Sequence, residues 1–542
     1  MKKHLFFIFL VALSLRFFNL QDSRCLNWDE TTFAYNAYSI LQTGKDEYGQ
    51  IFPLQFKSIG DYKAPMYIYL MVPVIKILGL NEFAIRLVPS LFGSLSPIIF
   101  YLIVYEIFKD KRTAFFSSLF LAASPWHLQF TRAGADVAVS SFFVLVGILG
   151  FLVGLKKNWG FFLSAFGFVA ATYSYFGDRF FGPLILLFLL ILFQKKVSLK
   201  IRPLMKAFLF GLLILLPLIP MLFSAGHQEK IIKTTIFGYS RPAEYETALK
   251  SQEPDQIFYY LFHTGFFENT WGAVSHYLNH FSPTFLFWDG PIKDPRQFVF
   301  QMGMLYLTDL PLIILGVYQL AKKPKQQKWL VLGWLFLSPI PAAITRDEVH
   351  ARRALNMVFP LMILAGLGAE RIWNKLPRLL LILVFGGSVL FYLLSYYVFT
   401  PNRTFKGPAG WQCGYKEVVA KVSKRAHAYK EVVVDTSYQG PYVYFLFYQK
   451  YNPALYQPQA RLIQESENVL GEGAGFDNYT FRPIYWPVDR CFTGKLFVGP
   501  PERLPIKDIE ENEAKIIDRV YFRNGEEAFL LVEVFNPRKG YC

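Results

Sequence analysis

Charged residues are sparse in this chain of 542 residues: Asp, Glu, Lys and Arg make up 18% of it, against 53% hydrophobic and 18% aromatic residues. That shortage excludes an ordinary soluble globule and indicates a protein that crosses a membrane many times. Acidic residues are the scarcer sign, 40 against 56 basic, for a net charge of +16. Nucleic-acid binding does not account for the excess, because most of the positive charge sits in short gaps between apolar runs, where it marks topology. Cysteine is rare too. Cys25, Cys413, Cys491 and Cys542 fit neither a CxxC pair nor a zinc site. They allow disulfides in any of three pairings, with free thiols as the plain alternative. Nucleotide motifs are missing, with no GxxxxGK[ST] loop, no GxGxxG after a strand and no DxD triplet, and HExxH is absent as well. The sequence offers no nucleotide site and no nucleic-acid site.

What it has is a series of apolar runs. A spanning helix needs about 20 mostly apolar residues, and candidates lie at 4–20, 86–108, 113–126, 137–155, 160–176, 180–194, 207–223, 303–320, 329–344, 355–371 and 379–398. The basic gaps are Lys2-Lys3, Lys109 to Arg112, Lys156-Lys157, Lys195 to Lys206, Lys322 to Lys328 and Arg371 to Arg378. With eleven spans all of them fall on one side, as the positive-inside rule requires. The first run follows Lys2-Lys3 as a signal peptide would, but it lacks a small-residue cleavage site and is expected to stay as a first helix with a cytoplasmic N-terminus. Met66 to Leu80 would invert everything after it by spanning. At about 1.5 Å per residue it covers roughly 22 Å, and Pro73 and Lys76 weaken it further. It is expected to lie at the outer interface, a short tilted span being the alternative.

This topology puts the loop 21–85, short loops at 124–136 and 345–353, a longer segment at 224–302 and all four cysteines outside a plasma (inner) membrane. Beyond residue 400 the composition turns polar, with a helical pattern at 415–430 and strand patterns at 431–435, 495–498 and 528–534. The expected fold is mainly α: a polytopic membrane helical bundle over 1–400, of about 11 spans with outer-face interfacial helices, carrying a C-terminal extracytoplasmic α/β domain over 401–542.

Directly after the first run, Leu26-Asn27-Trp28-Asp29-Glu30 opens an aromatic-rich helical pattern closed by Gly44. Asp29 and Glu30 can simply cap that helix and suit its dipole. Their place at the mouth of a bundle, where an ionised group needs a partner or a task, favours a site. The available partners are basic. Lys63, in Gly60-Asp61-Tyr62-Lys63-Ala64-Pro65, can hold a phosphate as a point charge or snorkel at the lipid boundary. Arg86 opens the next span, Arg132 and Asp136 are spaced for a helical ion pair, and Asp178-Arg179 sits at a further outer turn. His350, Arg352 and Arg353 put positive charge on the side that topology keeps poor in it. Anion binding explains the exception, arginine suiting phosphate best; the plain alternative is an ion cluster with Asp347 and Glu348.

Taken in order, Asp29-Glu30, Lys63-Ala64-Pro65, Asn81-Glu82-Phe83-Ala84-Ile85-Arg86-Leu87-Val88-Pro89-Ser90, Arg132 to Asp136, His280-Phe281-Ser282-Pro283 and His350 to Gly366 resemble the C-type glycosyltransferases. Within these the chain is most similar to bacterial relatives of the dolichyl-phosphate-mannose protein mannosyltransferases and of the lipid A aminoarabinose transferases. The resemblance covers roughly residues 1–400. It implies transfer of a sugar, with inversion, from a polyprenyl-phosphate donor to a hydroxyl acceptor on protein, lipid or glycan. Asp29 would be the general base, and Glu30 would position the acceptor or assist. Lys63, Arg132, Arg352, Arg353 and His350 would bind the donor phosphate, with Arg86 and Asp136 in support. Where many relatives have Lys-Pro-Pro, this sequence has Lys63-Ala64-Pro65. Asp29, Glu30, Asp136 and His350 are residue types that can ligate a divalent metal ion, although no spacing demands one. The alternative is a lipid or solute transporter or flippase, which predicts ionisable residues near mid-span and pseudo-repeats.

Overall fold

The computed structural model describes residues 1–21, 24–59, 61–238, 243–252, 257, 262–403, 411–463, 472–509 and 513–537. Helix α1 (Lys2–Phe17) leads through a loop into α2 (Trp28–Thr43). A capping box fixes the start of α2: the Asn27 side chain accepts the Glu30 amide, and the Glu30 carboxylate accepts the Asn27 amide. Gly44, at φ +70°, ends it in the left-handed conformation that glycine adopts without strain. Two short antiparallel strands follow, β1 (Phe56–Ser58) and β2 (Asp61–Lys63), and then α3 (Pro65–Leu78), with Pro65 in its first turn. One face of α3, with Tyr67, Ile68, Met71 and Ile75, is buried against α2 and α4, while Ile77 is exposed.

The bundle continues through α4 (Glu82–Phe108), α5 (Lys111–Ala123), α6 (Pro125–Arg132), α7 (Asp136–Gly154), α8 (Trp159–Ser174) and α9 (Asp178–Leu192). Each of the eleven apolar runs holds a helix. Among the described residues five helices are long and apolar enough to cross a membrane: Glu82–Phe108, Asp136–Gly154, Ile201–Leu222, Leu355–Ile372 and Arg378–Phe399. Small residues let α7 and α8 approach closely: a Cβ on Gly160 would lie 2.3 Å from the Gly154 nitrogen, and one on Gly167 would lie 2.4 Å from the Gly147 nitrogen.

The C-terminal part is an α/β unit. Its strands are β3 (Glu431–Val434), β4 (Leu462–Ile463), β5 (Glu472–Gly473), β6 (Gly475–Phe476), β7 (Tyr479–Phe481), β8 (Lys495–Gly499), β9 (Ala514–Tyr521) and β10 (Glu527–Val534). Six of them form one sheet in the order β6-β7-β3-β8-β10-β9; β3 runs parallel to both neighbours and the other pairs are antiparallel. The pairing of β4 with β5 makes a separate ribbon. The helix expected over 415–430 is shorter, Tyr415–Ser423. This unit sits on α2 and the loop after it. The Tyr35 hydroxyl donates to the Tyr451 carbonyl at 3.2 Å, the Tyr48 and Tyr442 hydroxyls are 3.3 Å apart, and a Cys25–Cys413 disulfide joins the two parts. Of the three possible pairing schemes, those joining Cys25 elsewhere are thereby excluded; Cys542 lies outside the described residues.

Candidate active site

The side chains of Asp61 and Lys63 share one face of β2, because strand residues two apart point the same way. That places the Lys63 ammonium between two carboxylates, paired with Asp29 Oδ1 and 2.8 Å from Asp61 Oδ2. Lys230, on the helix Ala225–Thr234, lies 2.9 Å from Asp61 Oδ1 and donates to the Tyr62 carbonyl. On the other side Arg352 donates to Asp29 Oδ2 at 3.0 Å and to Asp136 Oδ1 at 2.6 Å. The result is a chain of alternating sign, Lys230, Asp61, Lys63, Asp29, Arg352 and Asp136. It lines a cavity of about 230 Å³, together with Trp28, Tyr175, Arg296, His350, Arg353 and Trp411. Arg296, held by Asp294 at 2.9 Å, and Lys63 both lie over the Trp28 ring, at 5.7 and 4.6 Å.

Burial would raise the Asp29 carboxyl, but Lys63 and Arg352 beside it outweigh that and hold it well below the usual carboxylate range. Burial likewise opposes charge on Lys63, and Asp29 and Asp61 reverse it, raising the ammonium above its ordinary value. Burial, with Arg353 and Arg352 close by, keeps His350 well below the usual imidazole range and therefore neutral. Its Nδ1 accepts the Arg353 amide at 3.2 Å, which leaves the ring proton on Nε2.

Asp29, Lys63, His350, Arg352, Arg353 and Asp136 thus converge as the sequence suggests. Three other residues do not reach the cavity. Glu30 turns away because the next position on a helix lies about 100° around the axis. It is fully buried, accepts from Arg86 Nε and the Gly134 amide, both at 2.9 Å, and serves in the capping box. Arg86 supports Glu30 and the carbonyls of Leu20, Gln21, Arg24 and Cys25. Arg132 closes the end of α1, donating to the carbonyls of Leu15, Arg16 and Phe18, and makes no pair with Asp136, which Arg352 holds. Arg353 is shared with Asp347 at 2.6 Å. Asp178 and Arg179 also part company: Asp178 accepts from Ser140 and Asn356, and Arg179 faces His227. The four residues weighed as metal ligands do not converge. Arg352 bridges Asp29 and Asp136, Glu30 faces elsewhere, and among the described residues no three His, Cys, Asp or Glu side chains gather at one point. Asp61, Lys230 and Arg296 join the site without a motif of their own. For Asp61 the spacing to Lys63 was a readable signal; Lys230 and Arg296 reach the cavity from the 224–302 segment, where no local pattern marks them.

Residues 62–223 match the family model of the dolichyl-phosphate-mannose-protein mannosyltransferases. An uncharacterized protein of Aquifex aeolicus (strain VF5) is 26% identical over 148 residues, which span 27% of this chain and 29% of that protein. The crystal structure of ArnT from Cupriavidus metallidurans in the apo state is 14% identical and aligns over 97% of this chain and 96% of its own, with a TM-score of 0.55. Its structure bound to undecaprenyl phosphate aligns over 99% and 98%, at 12% identity and a TM-score of 0.53. The mannosyltransferase match runs through the site's own Lys63 and Asp136, and the chain shares the fold of ArnT over nearly its whole length.

Proposed function

We propose that the chain is a membrane enzyme that transfers a sugar, with inversion, from a polyprenyl-phosphate donor to a hydroxyl acceptor on the outer face of the membrane. One observation carries the reading: the Asp29 carboxylate, paired with Lys63 and Arg352, stands at the wall of a cavity that Lys230, Arg296 and Arg353 also line. An alcohol is a weak nucleophile and needs a base within hydrogen-bond reach. Asp29 takes the acceptor proton as the acceptor oxygen bonds to the sugar's anomeric carbon. The bond from that carbon to the phosphate oxygen breaks, and its electron pair leaves with the polyprenyl phosphate. Lys63 and Arg352 receive the negative charge, so no general acid is needed. The undecaprenyl phosphate bound to ArnT in a matching fold supports a lipid phosphate as the carrier. In this reading eleven spans keep the basic gaps inside and the α/β unit outside.

The test uses membranes holding wild type or Asp29→Asn at equal folded levels, supplied with radiolabelled polyprenyl-phosphate sugars. Label is followed from the carrier into protein, lipid and polysaccharide fractions. The variant is expected to be slower by about 10³-fold, within the range for loss of a general base. Equal transfer would return Asp29 to the role of helix cap. No transfer by either protein from any carrier would favour transport, which the charges gathered at helix ends otherwise count against.

A further inference from the structure

A second concentration of positive charge lies in this protein, and the reaction above does not use it. Arg24, in the loop after α1, is nine-tenths buried, and none of its three guanidinium nitrogens has a hydrogen-bond partner. It rests between two ring faces, 4.1 Å from the Tyr396 centroid and 5.2 Å from that of Trp411. Arg132 approaches the same Tyr396 ring to 5.0 Å, with its Nε also unpartnered. Arg86 donates to the Arg24 carbonyl at 3.0 Å and takes Glu30 as its counter-ion. Among the described residues no carboxylate pairs with Arg24 or Arg132. Leaving a buried guanidinium without acceptors is costly, and ring faces satisfy none of its N–H donors in the plane of the fork.

Beside Arg24 a cavity of about 290 Å³ follows the seam between the bundle and the α/β unit, next to the Cys25–Cys413 disulfide. Its wall carries Arg24, Arg403, Lys416 and Arg523 against Glu82 and Glu417, and Lys416 is already paired with Glu82 at 2.8 Å. Trp411 lines both this cavity and that of Asp29, so the two chambers meet at one indole ring. A phosphate oxygen pair matches the planar fork of a guanidinium and would supply the acceptors that Arg24 lacks.

We propose that the seam cavity is a second anion site, which takes the phosphate ester group of a ligand separately from the phosphate that leaves beside Asp29. The group comes either from the head of an anionic lipid or from a soluble phosphate compound. Binding is read without reference to sugar transfer, so failure here is distinguishable from failure of the proposed reaction. The full chain in maltoside micelles is examined by native mass spectrometry with phosphatidylglycerol in one arm and inorganic phosphate in the other. We expect one anionic adduct that Arg24→Gln weakens at least 10-fold and Arg403→Gln severalfold, and that Arg352→Gln leaves unchanged. Retention of phosphatidylglycerol alone assigns a lipid head group; retention of phosphate assigns a soluble ester. No adduct in either arm, or one lost only in Arg352→Gln, overturns the site. Arg403 is exposed and outside the packed corner, so an adduct undiminished in Arg403→Gln overturns it even where Arg24→Gln does not fold.

Discussion

A carboxylate bracketed by two cations is a poor base until something draws the cations away. Lys63 and Arg352 both hold Asp29, and in the proposed reaction a donor phosphate would compete for the same two side chains. In that reaction the basicity of Asp29 would rise as the donor drew the two cations off. Glu47 shows the opposite balance. It is fully buried after α2, with Oε1 accepting from Asn36 at 3.1 Å and Oε2 without a partner. Burial pushes its carboxyl up to about 8 from an ordinary 4.5. Between those values the folded protein keeps a proton that the unfolded chain has released, so stability is full below about 4.5 and is lost as pH rises through about 8. Glu47→Gln is expected to flatten that slope and raise the melting temperature at pH 8 by several degrees, as thermal unfolding in detergent at pH 5 and pH 8 would record. An unchanged slope would place the titration on another group. At this scale the sequence was readable where chemistry is local. Asp29 stood out because it follows the first apolar run, and Lys63 because of Lys63-Ala64-Pro65. Glu30, expected to position the acceptor or assist Asp29, does not reach the cavity, since one step along a helix changes the direction in which a side chain points.

Elements were legible in proportion to their length. The apolar runs are written in consecutive residues, and the helices follow them, whereas the N-cap position falls on Asn27 rather than on Asp29 or Glu30. Strands of three residues, β1 and β2, leave almost no periodicity to read, yet they bring Lys63 and Asp61 to Asp29. The junction of α2 with the α6–α7 turn is a close contact beside the site. A Cβ on Gly134 would lie 2.6 Å from Glu30 Cγ and 2.8 Å from Ile85 Cγ2, both in packed surroundings. The Gly134 amide also donates to Glu30. Gly134→Ala must therefore push the start of α2, and with it Asp29, away from Arg352. Overpacking of this kind costs about 1–3 kcal/mol, and transfer is expected to fall at least 10-fold. Gly182→Ala is the matched control, because its Cβ would meet only Phe168, at 3.9 Å. Melting temperatures and transfer rates of the two variants, measured side by side, decide the matter; equal behaviour would show that the junction yields.

For the whole molecule, the deciding connection joins residues 388 positions apart, Cys25 and Cys413. The eleven-span topology puts four cysteines on one side, and nothing local in the chain chooses among the pairings, because the choice belongs to the docking of the α/β unit. In a chain-entropy account a loop this long would gain about 6 kcal/mol from closure. That account assumes an unfolded chain free to disperse, whereas apolar helices held in a bilayer or micelle keep much of their confinement when tertiary contacts are lost. The disulfide's effect should then concentrate on the seam. On one side it anchors the loop four residues before Asp29; on the other it anchors the segment that carries Trp411, shared by both cavities. Replacing both residues, Cys25→Ser with Cys413→Ser, should shift the bundle's melting by only a few degrees while exposing the α/β unit to protease and lowering transfer. Timed proteolysis of detergent-solubilised protein, with fragments identified by mass, separates the two effects. If the unit resists digestion as long as in wild type, then the tyrosine contacts to α2 and its loop hold it without the disulfide, and the geometry around Asp29 owes the covalent link nothing.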